Sequence, residues 1–203
     1  MIAAERRTLA DAMDTLTPDQ WAAPSLCDGW TVRDVAGHLI SPFTVGIGRM
    51  MITIAKSRGS FDRANQRVAL EEAKRPTSEL AQILRDNAEH HFTPPTAGPE
   101  APLTDALVHG QDFRRPVGID YDAPLDRTRV TLDFLTGSRT VGFVPRGRLT
   151  GLRLKATDQA WSAGAGDLLE GSSIALALAA TGRMSGVDQL SGDGVDLLRS
   201  RLR

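Results

Sequence analysis

Asp105 and His109 stand four residues apart in the stretch Thr104-Asp-Ala-Leu-Val-His-Gly-Gln-Asp112. Four residues of α-helix advance roughly 400°, so the two side chains leave one face roughly 40° apart. A carboxylate and an imidazole one turn apart can grip a single divalent cation. Asp112 continues the same stripe three residues after His109. The spacing equally describes a solvated Asp–His pair on a helix surface, so a metal reading needs a ligand from another element. His38 can supply it. It lies two turns into a second predicted helix among apolar neighbours, where an isolated histidine is ordinarily a hydrogen-bonded core residue. Together His38, Asp105 and His109 would offer two nitrogens and one oxygen. Three protein ligands leave a fourth position open, the arrangement of a catalytic rather than a structural zinc.

Other residues with chemical potential are weaker candidates. Cys27 precedes a predicted helix N-terminus, which can lower a thiol pKa. No histidine is near it in sequence, so the reading favours an inert loop thiol. Arg114 and Arg115 follow the Asp–His pair and could bind an anionic substrate or a polar thiol, though basic residues at a helix C-terminus are ordinarily solvated. His90 and His91 suit the negative end of the preceding helix. Trp21, Trp30 and Trp161 read as packing residues.

These side chains need helices to position them. Ala3 to Leu16 reads as an amphipathic helix with Leu9, Met13 and Leu16 on its apolar stripe and Arg6, Arg7 and Asp14 away from it. Thr17-Pro-Asp19 opens a short capped turn. Thr31 with Asp34 resembles a capping box and starts a helix predicted from Val32 toward Ser57. Pro42, Gly46 and Gly48 should bend that helix or line a close helix contact. A charged stretch from Arg58 to Arg75 precedes a helix opened by Pro76, with Leu80, Ile83 and Leu84 on its buried side. Phe92 to Pro102 has loop composition, and the helix carrying Asp105 and His109 runs from Pro102 to Arg115. Four long helices joined by loops describe a bundle. One more helix follows from Asp126 to Thr136. Alternation then appears between Gly147 and Asp158, with further short strands at Ala160–Ala163 and Asp167–Gly171, a small-residue helix stopped by Gly182, and a last helix between Leu190 and Leu202. The expected fold is mainly α: a four-helix bundle over residues 1–140, then a small α+β domain over 141–203.

Composition narrows the function classes. Net charge is -1 and no basic block occurs, so nucleic-acid binding has no electrostatic support. At 41 % hydrophobic residues the chain can bury a core, and with 5 % aromatic the core must be aliphatic. A single cysteine excludes an intrachain disulfide framework and fits a reducing compartment. The N-terminus lacks the apolar run of a signal peptide, and no apolar stretch reaches the ~18 residues of a membrane span. The expectation is a cytoplasmic protein, monomer or homodimer, acting on small molecules without membrane or nucleic-acid partners.

Three segments carry a resemblance. Cys27-Asp-Gly-Trp-Thr-Val-Arg-Asp-Val-Ala-Gly-His38 resembles the first metal segment of the mycothiol-dependent maleylpyruvate isomerase family, actinobacterial relatives of the DinB-like metal-binding bundles. Ala106-Leu-Val-His-Gly-Gln-Asp112 resembles that family's second metal segment. The tail from Gly151 through Thr181-Gly-Arg183 to Leu190-Ser-Gly-Asp193 resembles its C-terminal region. The resemblance implies a DinB-like bundle holding a divalent metal, usually zinc, by residues matching His38, Asp105 and His109. It also implies mycothiol as thiol cosubstrate with a small electrophile. The family commonly has Glu at the acid position, where this chain has Asp, one methylene shorter, and Asp112 does not fall on one of its ligand places. A metal-bound thiol is a nucleophile near neutral pH. It could conjugate an electrophile, as an S-transferase, or add reversibly to a double bond, as an isomerase. A metal-dependent hydrolase and a metal-free binding or regulatory bundle are the alternatives.

Overall fold

In the computed structural model, which describes residues 1–91, 93 and 98–202, the chain is mainly helical and divides into two compact units. The elements in order are α1 (Ile2–Asp14), α2 (Pro18–Ala22), α3 (Val32–Thr44), α4 (Ile47–Lys56), α5 (Phe61–Glu72), α6 (Thr77–Asp86), α7 (Glu100–Arg114), a 3-10 turn (Arg115–Val117), α8 (Leu125–Leu135), β1 (Leu152–Ala156), β2 (Ser162–Gly164), β3 (Asp167–Gly171), α9 (Ser173–Ala180), α10 (Met184–Val187) and α11 (Val195–Ser200). The loop expected from Phe92 to Pro102 lies partly outside the described residues. Among the described residues no helix is long and apolar enough to cross a membrane.

The first unit comprises residues 1–92 and 109–121. Here α1 packs on α6, and α3 packs on α5 and α6. Its aliphatic core includes Leu9, Met13, Val35, Leu39, Ile40, Val68, Leu80 and Leu84. The capping box expected at Thr31 forms, and the capped turn expected at Thr17 is closed by a capping box as well. Thr17 caps α2 with Gln20, and Thr31 caps α3 with Asp34, whose carboxylate accepts from the Thr31 backbone N–H at 2.8 Å.

The single helix expected from Val32 to Ser57 is two. Pro42 sits inside α3, the chain leaves helical geometry at Val45, and Gly46 caps α4. The close-contact glycine is also a different one. An added Cβ at Gly46 or Gly48 would meet nothing within 4 Å, whereas at Gly37 it would stand 2.3 Å from the Ala69 carbonyl oxygen on α5. Arg6 departs from expectation too. It is buried, and its guanidinium donates to the carbonyls of Asn87, Ala88 and His90, taking up acceptors left open where α6 ends.

The second unit comprises residues 93–108 and 122–203. Its sheet has the order β2-β1-β3, with β1 antiparallel to β2 and parallel to β3. The alternation in β1 points Leu152, Leu154 and Ala156 inward. They join Leu132, Leu135, Trp161, Leu169, Leu176 and Val187 in one apolar cluster. Trp161 is a packing residue here, and its indole N–H donates to Asp133 at 2.7 Å. Helix α9, rich in Ala and Leu, is buried nearly all round.

Candidate metal centre

Helices α3 and α7 carry the expected ligands. The His38 and His109 rings meet edge to face, with centroids 4.6 Å apart and planes at 69°. Close packing at both histidines depends on a neighbouring glycine. Gly37 lets α3 approach α5, and at Gly110 a Cβ would press on Leu9 of α1 at 3.2 Å. Asp105 precedes His109 by one turn of the continuous helix α7. One ligand atom from each of His38, Asp105 and His109 lies within 4.8 Å of the others. Two imidazole nitrogens and a carboxylate oxygen are a donor set suited to zinc or a similar divalent ion.

The backbone at His38 is adapted to Pro42. Proline has no N–H to donate to the carbonyl one turn back, which is that of His38. The Ser41 hydroxyl donates to that carbonyl instead, at 2.8 Å, so α3 passes the proline without leaving the His38 acceptor bare.

Around His109 is a second constellation that the sequence did not reveal. Asp112 is fully buried, and its Oδ2 lies 2.9 Å from His109 Nδ1 and 3.0 Å from Cys27 Sγ. A carboxylate only accepts, so this contact places the imidazole proton on Nδ1 and turns Nε2 into the available ligand nitrogen. The Cys27 thiol also stands 3.7 Å from His109 Nδ1. Cys27 is therefore no isolated loop thiol. The backbone N–H of Leu26 donates to the Asp112 carbonyl at 3.2 Å and fastens the loop there. Only the position of Asp112 on the His109 stripe hinted at this. Cys27 is 82 residues from His109, and nothing local announces a pairing over that distance.

Trp30 was expected to be a packing residue, and its ring meets that of His38 in a T-shaped contact with centroids 5.8 Å apart. Trp21 packs on Phe113. Arg114 is not solvated. Only 1 % of its side chain is exposed; it pairs with buried Glu5 at 3.3 Å and lies over the Tyr121 ring, and the Tyr121 hydroxyl donates to Glu5. That network locks α7 to α1 and leaves Arg114 to structure rather than to substrate. Burial pushes the Arg115 guanidinium below its ordinary pKa, against the opposing pull of Asp112, and its Nε donates to Gln111. His90 and His91 are exposed and lie beyond the end of α6.

Comparison with known proteins decides the family. The family model described as "Mycothiol maleylpyruvate isomerase N-terminal domain" matches residues 2–158. The chain belongs to the mycothiol maleylpyruvate isomerase family. Among solved structures, a mycothiol-dependent maleylpyruvate isomerase superposes with a TM-score of 0.58 at 15 % identity, covering 95 % of this chain and 93 % of that one. A histidine-to-alanine mutant of a mycothiol-dependent maleylpyruvate isomerase gives 0.53 at 16 % identity with the same coverage. At such identities the likeness concerns the fold, which the two share across nearly their whole lengths. No curated protein matches the chain in sequence. For a member of the mycothiol maleylpyruvate isomerase family, the meeting of imidazoles from α3 and α7 is the feature on which chemistry can be argued.

Proposed function

We propose that this chain is a zinc-dependent enzyme that uses mycothiol as a nucleophile toward a small electrophile, as an isomerase or an S-transferase. The convergence of His38, Asp105 and His109 within 4.8 Å, in a chain of the mycothiol maleylpyruvate isomerase family, carries the reading. The donor set fits the metal: two neutral imidazoles and a carboxylate satisfy a divalent ion and leave a position for a fourth ligand. When bound, such an ion supplies a coordinated thiol that loses its proton near neutral pH.

The protein's own residues do the rest. Asp112 contacts His109 Nδ1, holds the proton there and fixes the ring, which leaves Nε2 as the nitrogen available to bind metal. Cys27 donates its S–H to the same carboxylate oxygen, beside His109. The Trp30 ring packs against His38. An external thiolate added to a conjugated double bond can be expelled after rotation, which isomerises the substrate, or retained, which conjugates it.

The test is turnover of an electrophilic alkene by purified protein with mycothiol. We expect a rate that rises with added zinc, falls at least about a hundredfold in His38→Ala, and persists in Cys27→Ser, because the attacking sulfur is external. Equal turnover without any thiol would assign hydrolysis instead. Loss of turnover in Cys27→Ser with zinc retained would make Cys27 the nucleophile, and no turnover by zinc-loaded protein with any electrophile tried would end the enzymatic reading.

A further inference from the structure

Between the end of α4 and the first turns of α5 lies a cleft of about 310 Å³ lined by Lys56, Ser57, Arg58, Arg63, Gln66 and Arg67. Four of its six lining residues are cations and none is an acid. Among the described residues none of the four makes an ion pair, whereas Arg49, Lys74, Arg75 and Arg85 in the same unit all do. Asp62, in the first turn of α5, does not line the cleft. Four like charges around one opening repel one another, and a multiply charged anion would relieve that repulsion.

A solvated basic face accounts for exposed cations, but it does not account for Ser57. This residue is only 5 % exposed, it lines the cleft, and its hydroxyl has no hydrogen-bond partner among the described residues. A buried hydroxyl with nothing to bond to is costly, and a bound oxyanion would accept its proton. Arginine forks and the Gln66 amide add further donors with the geometry that planar or tetrahedral oxyanions accept. The chain also adopts a left-handed backbone at Arg58 (φ 57°), the one such non-glycine residue among those described, directly after Ser57. That turn sets Ser57 and Arg58 side by side in the lining.

We propose that this cleft is a binding site for a phosphate monoester or a comparable dianionic oxyanion. Lys56, Arg58, Arg63 and Arg67 supply the charge, and Ser57 and Gln66 supply neutral donors. No residue of the His38, Asp105 and His109 set belongs to it, so it would recognise a second ligand or the remote anionic end of a larger one.

The test uses the full chain and inorganic phosphate as probe, in calorimetry at constant low ionic strength, with chloride as the control anion. We expect one saturable site with a Kd on the order of 1 mM, as suits an exposed cleft. Arg63→Gln and Arg67→Gln should each weaken it about tenfold and Ser57→Ala about fivefold, and Arg153→Gln, an exposed cation on β1, should leave it unchanged. A second arm compares vesicles bearing phosphatidic acid with vesicles of phosphatidylcholine. Sedimentation with the first alone, lost in the same three variants, would identify the phosphomonoester as lipid-borne; phosphate binding without sedimentation would identify a free ligand. The proposal is overturned if neither phosphate nor phosphatidic acid binds. It is overturned equally if binding persists in the three variants or if chloride competes on equal terms.

Discussion

Helix α3 buries Val32 and the run from Val35 to Ser41, while α4, reached through the break at Val45 and Gly46, buries none of its residues. Both carry an apolar stripe. In α3 that stripe lies against α5 and α6, and His38 is held within it. In α4 the apolar side chains include Ile47 at 81 % and Ile52 at 58 % exposure. What fastens α4 is polar: Arg49 reaches the buried Glu72 carboxylate at 2.9 Å, and Arg75 holds the other Glu72 oxygen at 2.8 Å. Helical periodicity thus tells which face of a segment is apolar, and only the partner elements decide whether that face becomes core.

The sharpest way to test that contrast is at glycine. Gly37→Leu drives a side chain into the α5 backbone, with no flexible neighbour to give way. We expect loss of folded protein, or destabilisation of at least about 3 kcal/mol, in denaturant unfolding. Gly48→Ala, in open space, should instead be neutral or stabilise by up to ~1 kcal/mol through helix propensity. If both substitutions have similar effects, the packing difference between α3 and α4 is wrong.

Truncation gives the next largest effect. Ile40→Ala removes a fully buried side chain of α3 and should cost about 2–5 kcal/mol. Ile52→Ala on α4 should stay within about 0.5 kcal/mol. A cost above that at Ile52 would show that α4 is covered in solution.

A smaller effect concerns the polar fastening of α4. Burial pushes the Glu72 carboxyl up, but hydrogen bonds from Arg75, Thr44 and Arg49 and the Arg75 charge outweigh it, and the group lies below its ordinary value of 4.5. A depressed carboxylate pKa contributes stability that is present above the unfolded-state pKa and lost as pH falls through the folded one. Stability should therefore drop as the pH falls below about 4.5, and the drop should be shallower in Glu72→Gln. Unfolding midpoints of the two proteins from pH 7 to pH 3 would check this, and parallel curves would contradict it.

Much of the helical part was legible because its signals are local. Thr31 with Asp34, the capped turn at Thr17-Pro-Asp19 and the four-residue step from Asp105 to His109 all act within a turn of helix. What stayed hidden is long-range. Arg6 and Arg114 read as surface charges, yet one closes the end of α6 and the other is buried against Glu5 and Tyr121. Cys27 gave no sign of reaching Asp112 and His109 because their pairing is made by packing, not by spacing. The break between α3 and α4 was half legible: Pro42 and Gly46 announced a bend, but the apolar stripe running past them argued for one helix.

Zinc titration of protein stripped of metal, at pH 7.5, tests the proposed centre most directly. The expected result is one tight equivalent per chain, abolished in His38→Ala and in His109→Ala while both variants stay helical by circular dichroism, and weakened about 10–100-fold with unchanged stoichiometry in Asp112→Asn, which loses the carboxylate that orients His109. Zinc binding unaltered by His38→Ala, or no stoichiometric binding by the wild-type chain, would contradict a metal centre built from α3 and α7.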